Sequence, residues 1–214
     1  NVALYVYQDT KTAPTGATYQ THYSKGVAWN GITAITESPS GAEATDLWAD
    51  DTKYATLRSA EQFGGTIEAY TYPEEFEECD GSAAIAPGVM VGQQARKKFC
   101  IAYKTIKGND IQNDAYGYKL HLIYNCNAAP SERAYSTIND SPEAVTFSWE
   151  ISTVPVPVNV AGKDYAPTAT VVLDSTKLTK NQWEAITNKL YGTETEEPQL
   201  PLPHEIYQIV NLIS

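Results

Sequence analysis

The side chains of this chain that are best suited to chemistry are three histidines and many carboxylates. His22, His121 and His204 lie far apart in the sequence, and none has another metal ligand at the spacing that a metal site needs. Glu68 and Glu150 would suit a glycosidase, but with 26 Asp and Glu residues in the chain such pairs arise by chance. We therefore predict that the protein is not an enzyme and has no catalytic, cofactor-binding or metal site.

Motifs for nucleophilic catalysis and nucleotide binding are also missing from the sequence. It contains no G-x-S-x-G, no P-loop and no G-x-G-x-x-G. The neighbours Ser24 and Lys25 indicate a turn rather than a nucleophile and its base. The acidic groups at residues 50–51 and 77–80 lack the alternate spacing and the glycine of a calcium loop, which favours solvated turns.

The charge of the chain limits the partners that it can hold. Its formal net charge is −11, with 15 Lys and Arg residues against 26 Asp and Glu residues. Tight binding to DNA or RNA depends on clustered Lys and Arg, and so does docking on anionic lipid. The chain is therefore a poor adhesive for nucleic acid, although nucleic acid can pass such a surface without sticking to it.

The cysteines indicate a reducing compartment. Cys79, Cys100 and Cys126 are odd in number and widely spaced, and are interpreted as small buried hydrophobic residues, with a single Cys100–Cys126 bridge left open. No apolar run approaches the ~18 residues of a membrane span, and no signal peptide is recognisable. The first residue, Asn1, is not a methionine, which suggests a piece of a longer chain.

Residues 144–154 show the clearest strand pattern. Alternate side chains of a strand point to opposite faces. One face of this strand is apolar and is expected in a core: it consists of Val145, Phe147, Trp149 and Ile151. The other face is short, hydroxyl-rich and acidic, without Lys or Arg: it consists of Thr146, Ser148, Glu150 and Ser152. A wall that must not bind a polyanion would have this composition.

Similar runs recur between turn residues and define the fold class. They cover residues 3–8, 27–36, 54–59, 66–72, 98–106, 118–126 and 168–173. One helix is expected at about residues 180–191, because Thr179 and Gln182 match a capping box and Gly192 matches a C-terminal stop. A short helix is expected at residues 74–79. The chain is predicted to be mainly β, an antiparallel β-sandwich or barrel with one flanking α-helix.

Two polar segments carry apolar residues and are expected to be arms. Residues 37–53 contain Leu47 and Trp48, and the Pro-rich residues 193–203 lead to Ile206, Ile209 and Val210. These five residues are predicted to contact neighbouring subunits or rings, although the C-terminal ones can also fold back onto their own domain. The resulting organisation is an N-terminal strand or arm at 1–25, a β-sandwich domain at 26–192 and a C-terminal arm at 193–214.

An ordered set of segments resembles the major tail proteins, or tail tube proteins, of long, non-contractile-tailed bacteriophages and prophages of Gram-positive hosts. The segments are residues 26–45, 68–81, 87–94, 117–124, 129–133 and 138–150. The last of them is the strongest and reads Ile-Asn-Asp-Ser-Pro-Glu-Ala-Val-Thr-Phe-Ser-Trp-Glu. The resemblance runs from about residue 26 to residue 202, and it is weaker in the first 25 residues and in residues 206–214.

This resemblance implies a phage tail tube fold, in which subunits form homo-hexameric rings that stack into a helical tube. The expected partners are the tape-measure protein, the tail terminator and the distal tail or baseplate proteins, in a virion tail assembled in the host cytoplasm. The DNA genome would pass through the lumen without specific binding, and no membrane would be involved. We expect Glu68, Glu150, Thr146 and Ser148 to face the lumen, because an acidic wall repels DNA.

Two alternatives stay open at the level of the sequence. The chain also fits the inner tube of a contractile tail or of a phage-derived particle, because the sheath of such a particle is a separate chain. A different class is a monomeric β-sandwich that binds carbohydrate or a host protein, for which Trp48 is the one credible exposed aromatic contact. Tubes or six-fold rings in electron micrographs would favour the tail tube, and persistent monomers would favour the binding module.

Overall fold

The computed structural model of the chain describes residues 2–8, 23–111, 113–135, 137 and 144–213. Of these residues, 49% lie in strands and 13% in helices, so the protein is mainly β with antiparallel sheets, as predicted. The strands are β1 (Val2–Val6), β2 (Val27–Ala28), β3 (Ile32–Glu37), β4 (Ala44–Ala49), β5 (Thr52–Arg58), β6 (Gly64–Ala69), β7 (Ala83–Ala86), β8 (Val89–Val91), β9 (Phe99–Asn109), β10 (Asn113–Ala128), β11 (Phe147–Thr153), β12 (Val156–Val160), β13 (Lys163–Thr168) and β14 (Thr170–Asp174). The helices are α1 (Lys180–Tyr191) and α2 (Pro203–Leu212), and a 3₁₀ turn covers Glu74–Phe76.

One large antiparallel sheet holds the domain together. Its strand order is β2-β1-β9-β10-β11-β6-β3, and β14 pairs with β10 beside β11. The hairpins β4–β5, β7–β8 and β12–β13 form separate two-stranded sheets. A register shift in β10 between Ile123 and Cys126 separates the part that pairs with β14 from the part that pairs with β11. The sheet therefore divides along β10 into two branches, one of which ends at the edge strand β3.

The central strands β1, β9 and β10 are buried on both faces. On one face, Leu4 and Ile101 pack in a cluster that includes Trp149 from β11, Ile67 from β6 and Phe76 from the 3₁₀ turn. On the other face lies a second cluster, which includes Tyr5, Cys100 and Leu122 from the sheet together with Ile186 and Leu190 from α1. The two helices thus cover the sheet on the side opposite β3, β6 and β11.

Burial on both faces distinguishes β9 and β10 from the outer strands. Consecutive residues of these strands, such as Cys100 and Ile101 or Leu122 and Ile123, are all fully or almost fully buried. The reason is that a helical layer covers one face while the other branch of the sheet covers the other. The three cysteines are free and buried, and Cys100 and Cys126 belong to different clusters, so the open question of a bridge is resolved.

The helix at 180–191 is confirmed, while two other helical segments differ from the prediction. Thr179 Oγ1 accepts the N–H of Gln182, and the Gln182 side chain accepts the N–H of Thr179, which completes the predicted capping box. The short helix expected at 74–79 is a single 3₁₀ turn, Glu74–Phe76. The C-terminal arm contains the unpredicted helix α2, for which Pro203 occupies the first turn.

Neither α1 nor α2, nor any other helix of the described ranges, is long and apolar enough to cross a membrane.

Candidate functional site

Three neighbouring strands carry the polar face that the sequence singled out. The register pairs Ala34 of β3 with Glu68 of β6, and Glu68 with Ser148 of β11. It also pairs Thr36 with Thr66, and Thr66 with Glu150. Side chains of directly opposite residues lie on the same face of a sheet. The acidic strip, as we call this face, consists of Ala34, Thr36, Thr66, Glu68, Ser148 and Glu150.

The two carboxylates of the acidic strip are close neighbours without a counter-ion. Glu68 lies opposite Ser148, two residues from Glu150 on the same face, so the two glutamates are diagonal neighbours at roughly 7–8 Å. Both side chains are exposed, and the ion pairs formed within the described ranges involve neither of them. The strip therefore presents uncompensated negative charge to whatever faces it.

A rigid aromatic layer supports the acidic strip from behind. Ile67 and Trp149, which alternate with the strip residues on β6 and β11, are fully buried. The Trp149 ring makes edge contacts with Phe76 at 5.0 Å and with Trp29 at 5.7 Å between ring centroids. Trp29 in turn donates its indole N–H to the Thr71 carbonyl at 2.8 Å. These contacts hold the strip in place, because each ring is wedged between others.

Two residues that the sequence grouped with the polar face need separate description. Thr146 is exposed but precedes β11, so no strand register places it on the strip. Glu37 follows Thr36 at the end of β3 and points to the other side, since it pairs with Gly65 rather than with Thr66. Its carboxylate accepts the hydroxyl of Tyr103, a residue of the first core cluster.

Glu37 also approaches His121, which was expected to be a surface histidine. The His121 side chain is only 17% exposed, and its Nδ1 lies 3.4 Å from Glu37 Oε1. Its ring is stacked on Tyr103 with centroids 4.7 Å apart, and Nε2 is 3.0 Å from Thr105 Oγ1. Burial lowers the pKa of His121, which Glu37 partly offsets and Lys119 reinforces. The phase of the strand indicated exposure, but contacts with Glu37 and Tyr103 cover this position in the fold.

The predicted arm at 37–53 is a projecting hairpin. β4 and β5 pair with each other and with no other strand of the described ranges, and all their residues except Ala55 are exposed. Leu47, opposite Ala55, is 42% exposed, and Trp48 is 69% exposed. An isolated two-stranded hairpin is at best marginally stable in water. A hairpin with this much exposed apolar surface is typical of a segment that packs against something else.

The C-terminal contact residues have a different environment from Leu47 and Trp48. Ile206 is 6% exposed and belongs to the second core cluster, while Ile209 and Val210 pack against that cluster and are partly buried. Ile206 is therefore buried in its own domain rather than presented to a neighbour. The helix turns these residues inward because α2 is amphipathic and starts at Pro203. The side chain of Gln182 fastens α2 to α1 by donating to Val210 O and Ile213 O, each at 2.8 Å.

Two features of the structure were not anticipated from the sequence. The hairpin β7–β8 exposes Ile85, Val89 and Met90, and only the Pro87-Gly88 turn between apolar residues signals it. The buried carboxylate of Asp80 pairs with Arg96 at 3.2 Å and with Arg133. No spacing in the sequence connects these three residues, because they meet only through the tertiary fold.

In the described part of the chain, the side chains that can ligate metals are dispersed. No group of three or more His, Cys, Asp or Glu side chains within it could hold a metal ion. Burial raises the pKa values of Cys79 and Cys100 to about 12, so both thiols stay neutral. A cleft of about 530 Å³ is lined by Tyr7, Tyr23, Lys98 and His204 together with mainly apolar and amide side chains.

Comparison with known proteins adds no assignment. No protein-family model matches the chain, and no curated protein matches it.

Proposed function

We propose that this chain is a structural subunit of a bacteriophage tail tube, which forms hexameric rings that stack around a lumen and conduct the DNA genome. The observation that carries the proposal is the acidic strip. It runs over three adjacent strands, contains two unpaired carboxylates and ends at an open sheet edge. The resemblance of residues 26–202 to tail tube proteins supports the same function.

The acidic strip suits a wall along which DNA must slide. Duplex DNA carries one negative charge per ≈ 1.7 Å of its axis, and proteins hold it by neutralising phosphates with Lys and Arg. Glu68 and Glu150 have no such cation beside them, and the remaining residues of the strip are small and mostly hydroxylated. A lumen lined in this way repels the phosphates and makes no lasting contact with them.

The position of β3 suits closure of a ring. Among the described residues, β3 pairs only with β6 and is the last strand of the sheet, so one row of its backbone groups has no strand partner there. Open edges invite pairing with a further chain, and a barrel removes them. Pairing of β3 with a strand of the next subunit would continue the acidic strip around a common lumen.

The hairpin β4–β5 suits contact between subunits or rings. Its exposed Leu47 and Trp48 are then covered by a neighbour, and stacking of identical rings gives an open-ended filament. The wider assignments belong to the same proposal: location in the virion tail, assembly in the host cytoplasm, and contacts with tape-measure, terminator and distal tail proteins. An inner tube of a contractile particle would use the same surfaces.

The first experiment asks whether the protein assembles. Purified chain at increasing concentration is followed by light scattering and by negative-stain electron microscopy. We expect rings or tubes with a central channel. Monomers that persist at high concentration, with no rings at any ionic strength, would contradict the proposal and favour the monomeric binding module.

A second experiment tests the orientation of the acidic strip. Tubes of the variant Glu68→Lys/Glu150→Lys should retain short duplex DNA at low salt and release it as salt rises, because the new lysines neutralise phosphates. The matched control is Glu184→Lys/Glu194→Lys, which makes the same charge change at two exposed positions in and just after α1. Equal DNA retention by both variants, or by neither, would show that the strip does not line the lumen.

A third experiment tests the hairpin contact. Leu47→Ser/Trp48→Ser should fold normally, because both side chains are exposed, yet should no longer form tubes. Tyr165→Ser on β13 is the control, since it removes an aromatic side chain that is 58% exposed elsewhere. Tubes from the double variant would exclude the hairpin as a required contact.

A further inference from the structure

The cleft of about 530 Å³ lies at the first turn of α2, away from the acidic strip and from the hairpin β4–β5. The chain just after β1, just before β9 and along β10 and β12 forms its other walls. Its volume falls within the range of about 300–1,000 Å³ that is typical of sites for small molecules. We call it the Lys98 cleft, and its polar and aromatic walls include Tyr7, Tyr23, Lys98, Asn159, His204 and Gln208.

The charge of the Lys98 cleft is opposite to that of the protein. The chain has a formal net charge of −11, yet none of the described residues that line the cleft is acidic. Lys98 is half-buried, and its ammonium group takes part in none of the ion pairs formed within the described ranges. Withdrawal of a charged group from water is costly without a partner. The cleft therefore favours an anion that the described residues do not supply.

The carboxylate of α2 that is nearest in the sequence is used elsewhere. Glu205 accepts the N–H of Leu202 at 2.8 Å through Oε2 and pairs with Lys189 of α1 at 2.8 Å through Oε1. α2 begins at Pro203, which lines the cleft, and the N-terminus of a helix favours negative charge. Lys98 and the first turn of α2 therefore act on a bound anion in the same direction.

The aromatic wall of the cleft is held in a fixed position. The rings of Tyr7 and Tyr23 make an edge contact with centroids 5.5 Å apart. The Tyr23 hydroxyl donates to Asn125 Oδ1, and the amide of Asn125 donates to the Val154 carbonyl at 3.2 Å. Such a wall offers an apolar surface to the C–H groups of a ligand at little cost in side-chain entropy.

Amide side chains complete the lining of the cleft. Asn159 of β12 and Gln208 of α2 both belong to it. A carboxamide group contains a donor and an acceptor, and a hydroxyl group can likewise donate and accept. Aromatic rings beside amides therefore suit a sugar, which has hydroxyl groups on its rim and C–H groups on its faces. Lys98 adds a preference for a negative charge on that sugar.

We propose that the Lys98 cleft binds a small sugar that contains a phosphate or carboxylate group. The anionic group lies beside Lys98 and the first turn of α2, and the sugar ring lies against the tyrosines. A neutral sugar leaves the Lys98 ammonium without a partner, whereas an inorganic anion makes no use of the aromatic wall. The site belongs to the single subunit, so it is independent of tube formation.

The experiment measures binding to dilute monomer by isothermal titration calorimetry and by NMR. The probes are glucose 6-phosphate and glucuronate, and the references are glucose and inorganic phosphate. We expect at least one probe to bind with a dissociation constant on the order of 1 mM or below, about tenfold or more tighter than either reference. The side-chain amide signals of Asn159 and Gln208 should shift on binding. The better probe shows whether the anionic group is a phosphate or a carboxylate.

Two results with the wild type would overturn the proposal. One is the absence of saturable binding of both probes at about 10 mM, ten times the weakest dissociation constant expected. The other is a reference that binds as tightly as the better probe, because either the charge or the sugar ring would then contribute nothing.

Variants locate the site. Lys98→Met keeps the length of the side chain and removes its charge, so it should weaken binding of the better probe by about tenfold. The control Lys177→Met removes an exposed lysine just after β14 and should leave the affinity unchanged. Gln208→Ala changes an exposed side chain and should weaken binding by roughly threefold. Equal affinity of wild type and Lys98→Met would overturn the proposal. Should Lys98→Met fail to fold, an unchanged affinity of Gln208→Ala would do so.

Discussion

The buried carboxylate of Asp80 allows the most quantitative prediction. Its side chain is 4% exposed and lies between the guanidinium groups of Arg96 and Arg133. Arg96 also donates to the Ala128 carbonyl at 3.2 Å, so the carboxylate holds the segment after β10 against the turn at residues 77–81. The substitution Asp80→Asn keeps the shape of the side chain and removes its charge, which leaves both guanidinium groups without a counter-ion.

The expected loss in free energy of unfolding is large for a substitution that replaces one carboxylate oxygen with an NH₂ group. Breaking one side of a buried ion pair costs about 3–5 kcal/mol. Arg96 and Arg133 are 26% and 31% exposed, and water compensates part of their charge, so we expect about 3 kcal/mol, the lower limit. A domain of this size loses roughly 2–4 °C of melting temperature per kcal/mol, which gives about 6–12 °C.

The assay is urea unfolding of monomer, followed by the fluorescence of the buried Trp29 and Trp149. The matched control is Glu78→Gln, which breaks a pair with Lys97 at 2.6 Å whose side chains are 51% and 48% exposed. Exposed pairs contribute about 0–1 kcal/mol, so this control should leave the midpoint nearly unchanged. Equal small losses for both variants would refute the reasoning, because burial of Asp80 would then contribute nothing.

Three further predictions follow from local geometry. Thr179→Ala should destabilise the protein by about 1 kcal/mol in the same assay, because it removes the side-chain acceptor at the start of α1; an unchanged midpoint would contradict this. Asp51→Gly should stabilise the hairpin β4–β5 modestly, seen as slower amide exchange. Asp51 has a φ of 59°, and glycine avoids the left-handed backbone cost of about 1–2 kcal/mol, which exceeds its own entropic cost of about 0.4–1 kcal/mol; faster exchange would contradict this. Lys107 and Thr176 lower the pKa of Asp174, so the stabilising contribution of its carboxylate is present above about pH 4 and is lost on acidification. The urea midpoint of Asp174→Asn should therefore fall less steeply with acid than that of the wild type, and parallel curves would contradict this.

The sequence predicted the elements whose signal is local. The alternation of Phe147 to Ser152 and the capping box of α1 depend on neighbours in the chain, and both were correctly interpreted. Val145, which was expected in the core, precedes β11 and is 37% exposed. The exposure of Leu47 and Trp48 also follows from their polar surroundings in the sequence. The paired strands β6 and β11 place Glu68 and Glu150 on one face, as their shared polar phase suggested.

The features that were missed depend on long-range contacts. Glu37 and His121 have the polar phase of solvated strands, but the tertiary fold brings them within 3.4 Å of each other. The helix α2 was missed because Pro201 and Pro203 suggested an extended arm, although proline is well tolerated in the first helical turn. Ile206 was expected at a contact between subunits, but the turn into α2 directs it into the core of its own domain.

The position of β1 in the centre of the sheet has a consequence for the time course of folding. β1 pairs with residues 99–103 of β9, and the first core cluster also needs Trp149 and Ile151 of β11. At about 5–20 residues per second, a ribosome takes roughly 8–30 s to reach that point. The hairpins β4–β5 and β7–β8 need only local contacts and form in microseconds. During synthesis the residues of both hairpins therefore leave the ribosome before β11, and the first core cluster is completed only after the hairpins have been made.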